Sequence, residues 1–101
     1  MSLADVIHLI LNYMQIINPA TEEIIATLQE DSAESLKNKL KTLQKGQKSW
    51  AKVNLKKRIA IIEKFSELLA ENIEELAATL TSEMGKPLQQ ARNEVNGARG
   101  R

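Results

Sequence analysis

Residues 59–80 place Ile59, Ile62, Phe65, Leu69, Ile73, Leu76 and Leu80 at steps of three or four, and the run then meets Gly85-Lys86-Pro87. That spacing puts these side chains on one stripe of an α-helix. A glycine ends a helix by adopting a left-handed conformation that other residues resist. A proline opens the next helix because its missing N–H would be unpaired there in any case. The chain is thereby committed to helices that meet at a corner inside "TSEMGKPLQQARN" (81–93). Leu88, Ala91 and Val95 form the apolar side of the last helix, and Gly97 and Gly100 are the points where it is expected to fray. Upstream, Asn54 caps the long helix. Ala70-Glu71-Asn72 is expected to divide it, with Asn72 capping a new start and Glu75 three residues on.

The first half of the chain has a different texture. Leu3, Val6, Ile7, Ile10, Leu11 and Met14 recur at helical spacing and predict a short amphipathic helix. Two β-branched pairs, Ile16-Ile17 and Ile24-Ile25, flank Asn18-Pro19-Ala20-Thr21, whose turn chemistry predicts a β-hairpin. A lone hairpin is marginal in water and needs a surface to pack on. Asp31 or Ser32 then caps a helix whose stripe runs Leu36, Leu40, Leu43 and Trp50, with Gln47 filling the gap and Gly46 weakening it by about 1 kcal/mol. The expected fold is mainly α, an N-terminal β-hairpin plus four to five amphipathic helices.

Composition narrows the chemistry. With 101 residues there is room for one small domain, which would bury about two-thirds of its unfolded surface. Tyr13, Trp50 and Phe65 are the only aromatics, so a core must be aliphatic. The charged fraction of 27% and apolar fraction of 43% fit a folded chain rather than a disordered one. No cysteine is present, which removes disulfides, thiolate metal sites and a cysteine nucleophile from these residues; it fits a reducing compartment, and a cytoplasmic location is expected. His8 is the single histidine, so one copy offers no paired-histidine metal motif. The apolar stretch 3–14 is too short to span a bilayer and lacks the flanks of a signal peptide, so no membrane partner is expected.

Three patterns could carry function. From Lys37 to Arg58 there are eight lysines, one arginine and no acid, with Trp50 inside; a nucleic-acid backbone could follow such a strip. The net charge of +1 and the six glutamates between Glu63 and Glu83 favour a solvated helix face beside an acidic neighbour, and no nucleic-acid partner is expected. Glu71, Glu74 and Glu75 share a helical region, but nothing apolar surrounds them to raise a carboxyl pKa, so they read as an exposed acidic face. His8 has no partner nearby and reads as a surface or core-edge residue. Gly-Lys-Pro is no phosphate loop, since proline stands where a hydroxyl residue is needed and removes an amide. The tail Gly97-Ala98-Arg99-Gly100-Arg101 lacks the preceding strand and following acid of a dinucleotide fingerprint.

Read together, "INPATEEIIATL" (17–28), "KRIAIIEKFSELLAENIEELAATLTSEMGKPL" (57–88) and "ARNEV" (91–95), with Trp50 after a small residue, resemble the N-terminal region of NAD(P)-dependent aldehyde dehydrogenases. The resemblance divides the chain into residues 1–14, an added amphipathic helix or cloning-derived extension, and residues 15–101, the incomplete helical and hairpin portion of an α/β Rossmann-like cofactor domain. It implies NAD or NADP for the full-length family and no cofactor in this chain. It also implies that the Pro-Trp-Asn stretch, the glycine-rich turn, the glutamate base and the cysteine nucleophile lie elsewhere. No catalytic, cofactor-binding or metal residue is assigned here, and Lys86 is expected to be exposed rather than catalytic. The chain alone is expected to be inactive, a truncated gene product, a cloned piece or a proteolytic remnant. The parent activity would be oxidation of an aldehyde to a carboxylic acid, with succinate semialdehyde or another small aliphatic aldehyde as the expected substrate. Helices shaped to cover a sheet would leave apolar faces bare, so a homo-oligomer through those faces is expected.

Overall fold

A computed structural model describes residues 1–100, the side chains of residues 8–11 excepted. In chain order it contains α1 (Leu3–Leu11), β1 (Tyr13–Ile17), β2 (Ile24–Gln29), α2 (Ala33–Ala51), α3 (Leu55–Glu71), α4 (Ile73–Met84) and α5 (Leu88–Arg99). The fold is thus mainly helical with one two-stranded antiparallel hairpin. The expectations for His8, Ile10 and Leu11 fall on side chains outside the described ones, and Arg101 lies outside the described residues.

Each helix begins where local chemistry satisfies its first free amides. Ser2 and Asp5 cap α1 reciprocally: the Asp5 N–H donates to Ser2 Oγ at 3.1 Å and the Ser2 N–H to Asp5 Oδ2 at 2.8 Å. Of the two candidates for α2, Ser32 is the cap, accepting from the Ser35 N–H at 3.1 Å. Asn54 caps α3 through the Lys57 N–H at 3.3 Å. Asn72 does divide α3 from α4, but not as expected. Its side chain makes no cap bond to α4; Nδ2 instead donates to the Leu68 carbonyl at 2.8 Å, closing the end of α3. A carboxamide can donate as well as accept, and here the donor end is used.

Two further expectations are corrected. Met14 is not on the α1 stripe. Asn12 ends that helix, and Met14 lies in β1 opposite Leu28, in a ladder running from Tyr13↔Gln29 to Ile17↔Ile24. The hairpin is therefore longer than its two isoleucine pairs, with an irregularity between Ile16 and Ile17 that leaves Ile25 unmatched. Gly97 does not fray α5, which continues to Arg99 and is closed by the Gly100 N–H donating to the Asn96 carbonyl at 3.3 Å.

Packing is concentrated at one end. Ala77 of α4 and Ala91 of α5 are both 0% exposed, and their small side chains let the two helices approach closely. Ile73, Leu80 and Val95 are half-buried around them. No large side chain among the described residues is fully buried. The structure spans 55 × 39 × 16 Å with a radius of gyration of 18.9 Å, against about 13 Å for a compact domain of this length. A helix with its side chains is about 10–12 Å across, so the smallest dimension leaves little room for the two layers between which domain cores form.

The uninterrupted stripe predicted over 59–80 is divided accordingly. Leu69, Ile73 and Leu80 of its second half are half-buried, whereas Leu76 is exposed and Ile62 and Phe65 remain 61% and 57% exposed. Along α2, Leu36, Leu40, Leu43 and Trp50 are all exposed.

Candidate functional site

The corner that the sequence singled out is the most constructed place in the molecule. Gly85 has φ +70°, and its N–H donates to the Thr81 carbonyl at 2.9 Å to close α4. Pro87 precedes the first turn of α5, whose Ala91 N–H donates to the Pro87 carbonyl at 3.0 Å. The hairpin turn docks onto this corner: a Cβ at Gly85 would stand 3.0 Å from Pro19 Cγ. Pro19 is held there by its own turn, in which Asn18 Oδ1 accepts from the Ala20 and Thr21 amides at 2.9 and 3.3 Å. Glu22 takes φ +63°, and its N–H donates to the Asn18 carbonyl at 2.8 Å. The sequence predicted the turn and the corner separately; that they touch could not be read from spacing.

A shallow cleft of about 380 Å³ opens beside the contact, lined by Asn18, Ala20, Ala78, Thr81, Ser82 and Leu88. Its hydroxyls have no base beside them. Ser82 Oγ donates to the Thr79 carbonyl at 2.8 Å, and Thr81 Oγ1 is buried without a partner. A serine or threonine acts as nucleophile only with a neighbouring base to take its proton. A second cleft, at the open end of the hairpin, is lined by Asn12, Glu30, Asp31, Ser35 and Lys39 among others. Within it Asp31 accepts from Lys39 Nζ at 2.7 Å and from Ser35 Oγ at 2.8 Å. Those bonds, Lys39 first, hold the Asp31 carboxyl below its usual range.

The acidic cluster of the sequence is dispersed by the structure. Glu71 ends α3, while Glu74 receives a two-pronged bond from Arg92 of α5, Nε to Oε1 at 2.9 Å and Nη2 to Oε2 at 2.8 Å. The Arg92 bond lowers the Glu74 carboxyl pKa and raises that of the guanidinium. That direction is opposite to what a catalytic acid at neutral pH requires. Lys86 is half-exposed and pairs with Glu94, which fixes the start of α5 against its own second turn. Arg99 Nε donates to the Ser66 carbonyl at 3.2 Å and ties α5 to α3. Sequence reading missed Arg92 and Arg99, because partners 18 and 33 residues apart leave no periodic signal. Among the described residues no group of three or more acids and histidines could hold a metal, and no helix is long and apolar enough to cross a membrane. What this geometry does is join a hairpin to a helical corner.

A hairpin docked on a Gly-Lys-Pro corner between two closely packed helices is an architecture with known counterparts. The model of the aldehyde dehydrogenase family matches residues 10–100. A 3,6-anhydro-alpha-L-galactose dehydrogenase of a Vibrio species is 34% identical over 82 residues, 81% of this chain and 17% of that protein. A malonate-semialdehyde dehydrogenase of Bacillus subtilis is 34% identical over 83 residues, 82% of this chain and 17% of that protein. In structure, a glyceraldehyde-3-phosphate dehydrogenase of Methanocaldococcus jannaschii, solved with NADP, superimposes with a TM-score of 0.82 at 33% identity, over 86% of this chain and 19% of that one. The chain belongs to the aldehyde dehydrogenase family. It spans about one-sixth of the length of the relatives it matches.

Proposed function

We infer that this chain is the N-terminal segment of an NAD(P)-dependent aldehyde dehydrogenase, where it forms the outer hairpin and helices of a Rossmann-like cofactor domain and supplies no reacting group. The observation that carries this reading is the bare apolar surface. The chain exposes 8541 Å², whereas a compact protein of its mass exposes about 5,700 Å². Surface of that kind in a segment matching one-sixth of larger relatives fits a covering layer whose substratum lies in the rest of the protein. The dehydrogenase reaction needs a nucleophile for the aldehyde carbon and a cradle for the dinucleotide. These residues include no cysteine, and Gly97 and Gly100 sit at the end of a helix rather than in a strand-to-helix turn, so they do not fit the dinucleotide.

For the whole protein the reaction is oxidation of an aldehyde to its acid, with a semialdehyde of a short dicarboxylic acid as substrate. Support comes from relatives named for malonate and glutarate semialdehydes; succinate semialdehyde is the intermediate chain length. The test has two arms. The purified chain, supplied with NAD or NADP and these semialdehydes, is expected to form no reduced nicotinamide, and turnover by the chain alone overturns the reading. A chimera carrying residues 15–100 in place of the matching segment of the Vibrio enzyme is expected to fold and to retain dehydrogenase activity. A chimera that melts cooperatively yet has lost cofactor binding sinks the covering role. In the whole protein, faster turnover of acetaldehyde than of succinate semialdehyde sinks the substrate class.

A further inference from the structure

Of the arginines among the described residues, two have partners and one has none. Arg92 forks onto Glu74 through Nε and Nη2, and Arg99 Nε donates to the Ser66 carbonyl. Arg58, near the start of α3, has its Nε buried and without an acceptor among the described residues. Its backbone is satisfied, since the Arg58 N–H donates to the Asn54 carbonyl at 3.1 Å. The unmade bond belongs to the side chain. A guanidinium stays charged throughout the pH range of a folded protein, so it cannot escape that cost by losing a proton.

Nothing nearby in the chain supplies the acceptor. One helical turn away on either side stand Asn54, Leu55, Ile61 and Ile62, and Asn54 Oδ1 already accepts from the Lys57 amide at 3.3 Å. Lys56 and Lys57 are exposed alongside, and the sequence holds no acid from Lys37 to Arg58. Leu55, Ile61 and Ile62 are exposed as well. Around one cation, then, this part of α3 is bare apolar surface. None of the side-chain bonds among the described residues holds the guanidinium in its present pose, and rotation about its own bonds turns the Nε–Nη2 edge outward.

We propose that in the whole protein the Nε–Nη2 edge of Arg58 receives a carboxylate from the part of the polypeptide that α3 covers, in the two-pronged geometry that Arg92 adopts with Glu74. The proposal rests on the covering role of this segment and adds the chemistry of what is covered: an acidic side chain set among apolar ones. A carboxylate is favoured over a backbone carbonyl because the local charge is all positive, and burying it requires an anion.

Arg58→Gln tests this in two settings, the 101-residue chain and the chimera with the Vibrio enzyme. In the chain, which lacks the acceptor, the variant should leave the thermal midpoint unchanged or raise it. In the chimera at pH 7 it should lower the midpoint by about 5 °C. Arg58→Lys, which keeps the charge without the fork, should recover only part of that loss. An arginine holds its partner's carboxyl pKa low, so the pair contributes above the unfolded value of about pH 4 and fades as pH falls through the folded one. The gap between Arg58→Gln and the unsubstituted chimera should therefore narrow on acidification; Lys56 and Lys57 are common to both and cancel in the difference. An equal loss in chain and chimera, no loss in the chimera, or a gap that acid does not narrow overturns the proposal. An unsubstituted chimera that fails to fold overturns the covering role as well. One that folds while the Arg58 comparison fails leaves that role standing and removes only the carboxylate.

Discussion

Two glycines in this chain do opposite things, and the backbone says which. Gly85 sits at φ +70°, where a side chain is strained, and an added Cβ would meet Pro19 Cγ at 3.0 Å. The hairpin turn is seated against that hydrogen-only surface, so the strain cannot be relieved by a small shift without undocking it. Gly85→Ala should destabilise the fold by about 1–2 kcal/mol. Gly46 lies inside α2 with nothing within 4 Å of an added Cβ. Gly46→Ala should therefore stabilise by about 1 kcal/mol, the ordinary helix preference for alanine. Urea unfolding followed by circular dichroism measures both, and equal signs for the two would contradict this assignment of roles. The role of Gly85 was readable beforehand, because glycine closes a helix in the left-handed conformation at little cost and a proline soon after opens the next. Its contact with Pro19 was not, because the two are brought together only by the fold.

Among the described residues α3, α4 and α5 form a packed unit, in which polar ties add to the apolar contact centred on Ala77 and Ala91. The Arg92–Glu74 bond links α5 to α4 and the Arg99–Ser66 bond links α5 to α3. Since Arg92 lowers the folded pKa of Glu74, the tie contributes above the unfolded carboxyl value of about pH 4. It is lost as pH falls through the lower folded value. The denaturation midpoint should consequently drop on acidification, and Glu74→Gln should flatten that part of the curve while leaving the difference small at high salt, as for any exposed pair. An acid limb identical in the variant would show that the pair contributes nothing. Helix placement was largely legible in the sequence, since Ser32, Asn54 and Gly85 are local signals for local events. Asn72 shows the limit: its side chain can cap either neighbour, and the choice fell to Leu68. Met14 shows another, since its helical spacing with Ile7 and Leu11 was overruled by pairing with Leu28 across the hairpin.

At the scale of the molecule, helices are well specified and a core is scarcely present. Local signals suffice for the first, whereas the second needs two apolar layers face to face. Periodicity reveals that a face is apolar; it is silent on what covers it. A folded state so lightly packed gains much of its stability from whatever occupies the α2 and α3 stripes, and when the occupant is a second copy, stability follows concentration. The thermal midpoint of the chain should rise by about 3–5 °C for each tenfold increase in protein. Leu43→Asp, which puts a charge in the exposed α2 stripe, should melt lower and at a temperature that concentration does not move. If the parent chain itself melts at one temperature across the whole range, its helices hold together without a partner, and the exposed stripes are not what stabilises them.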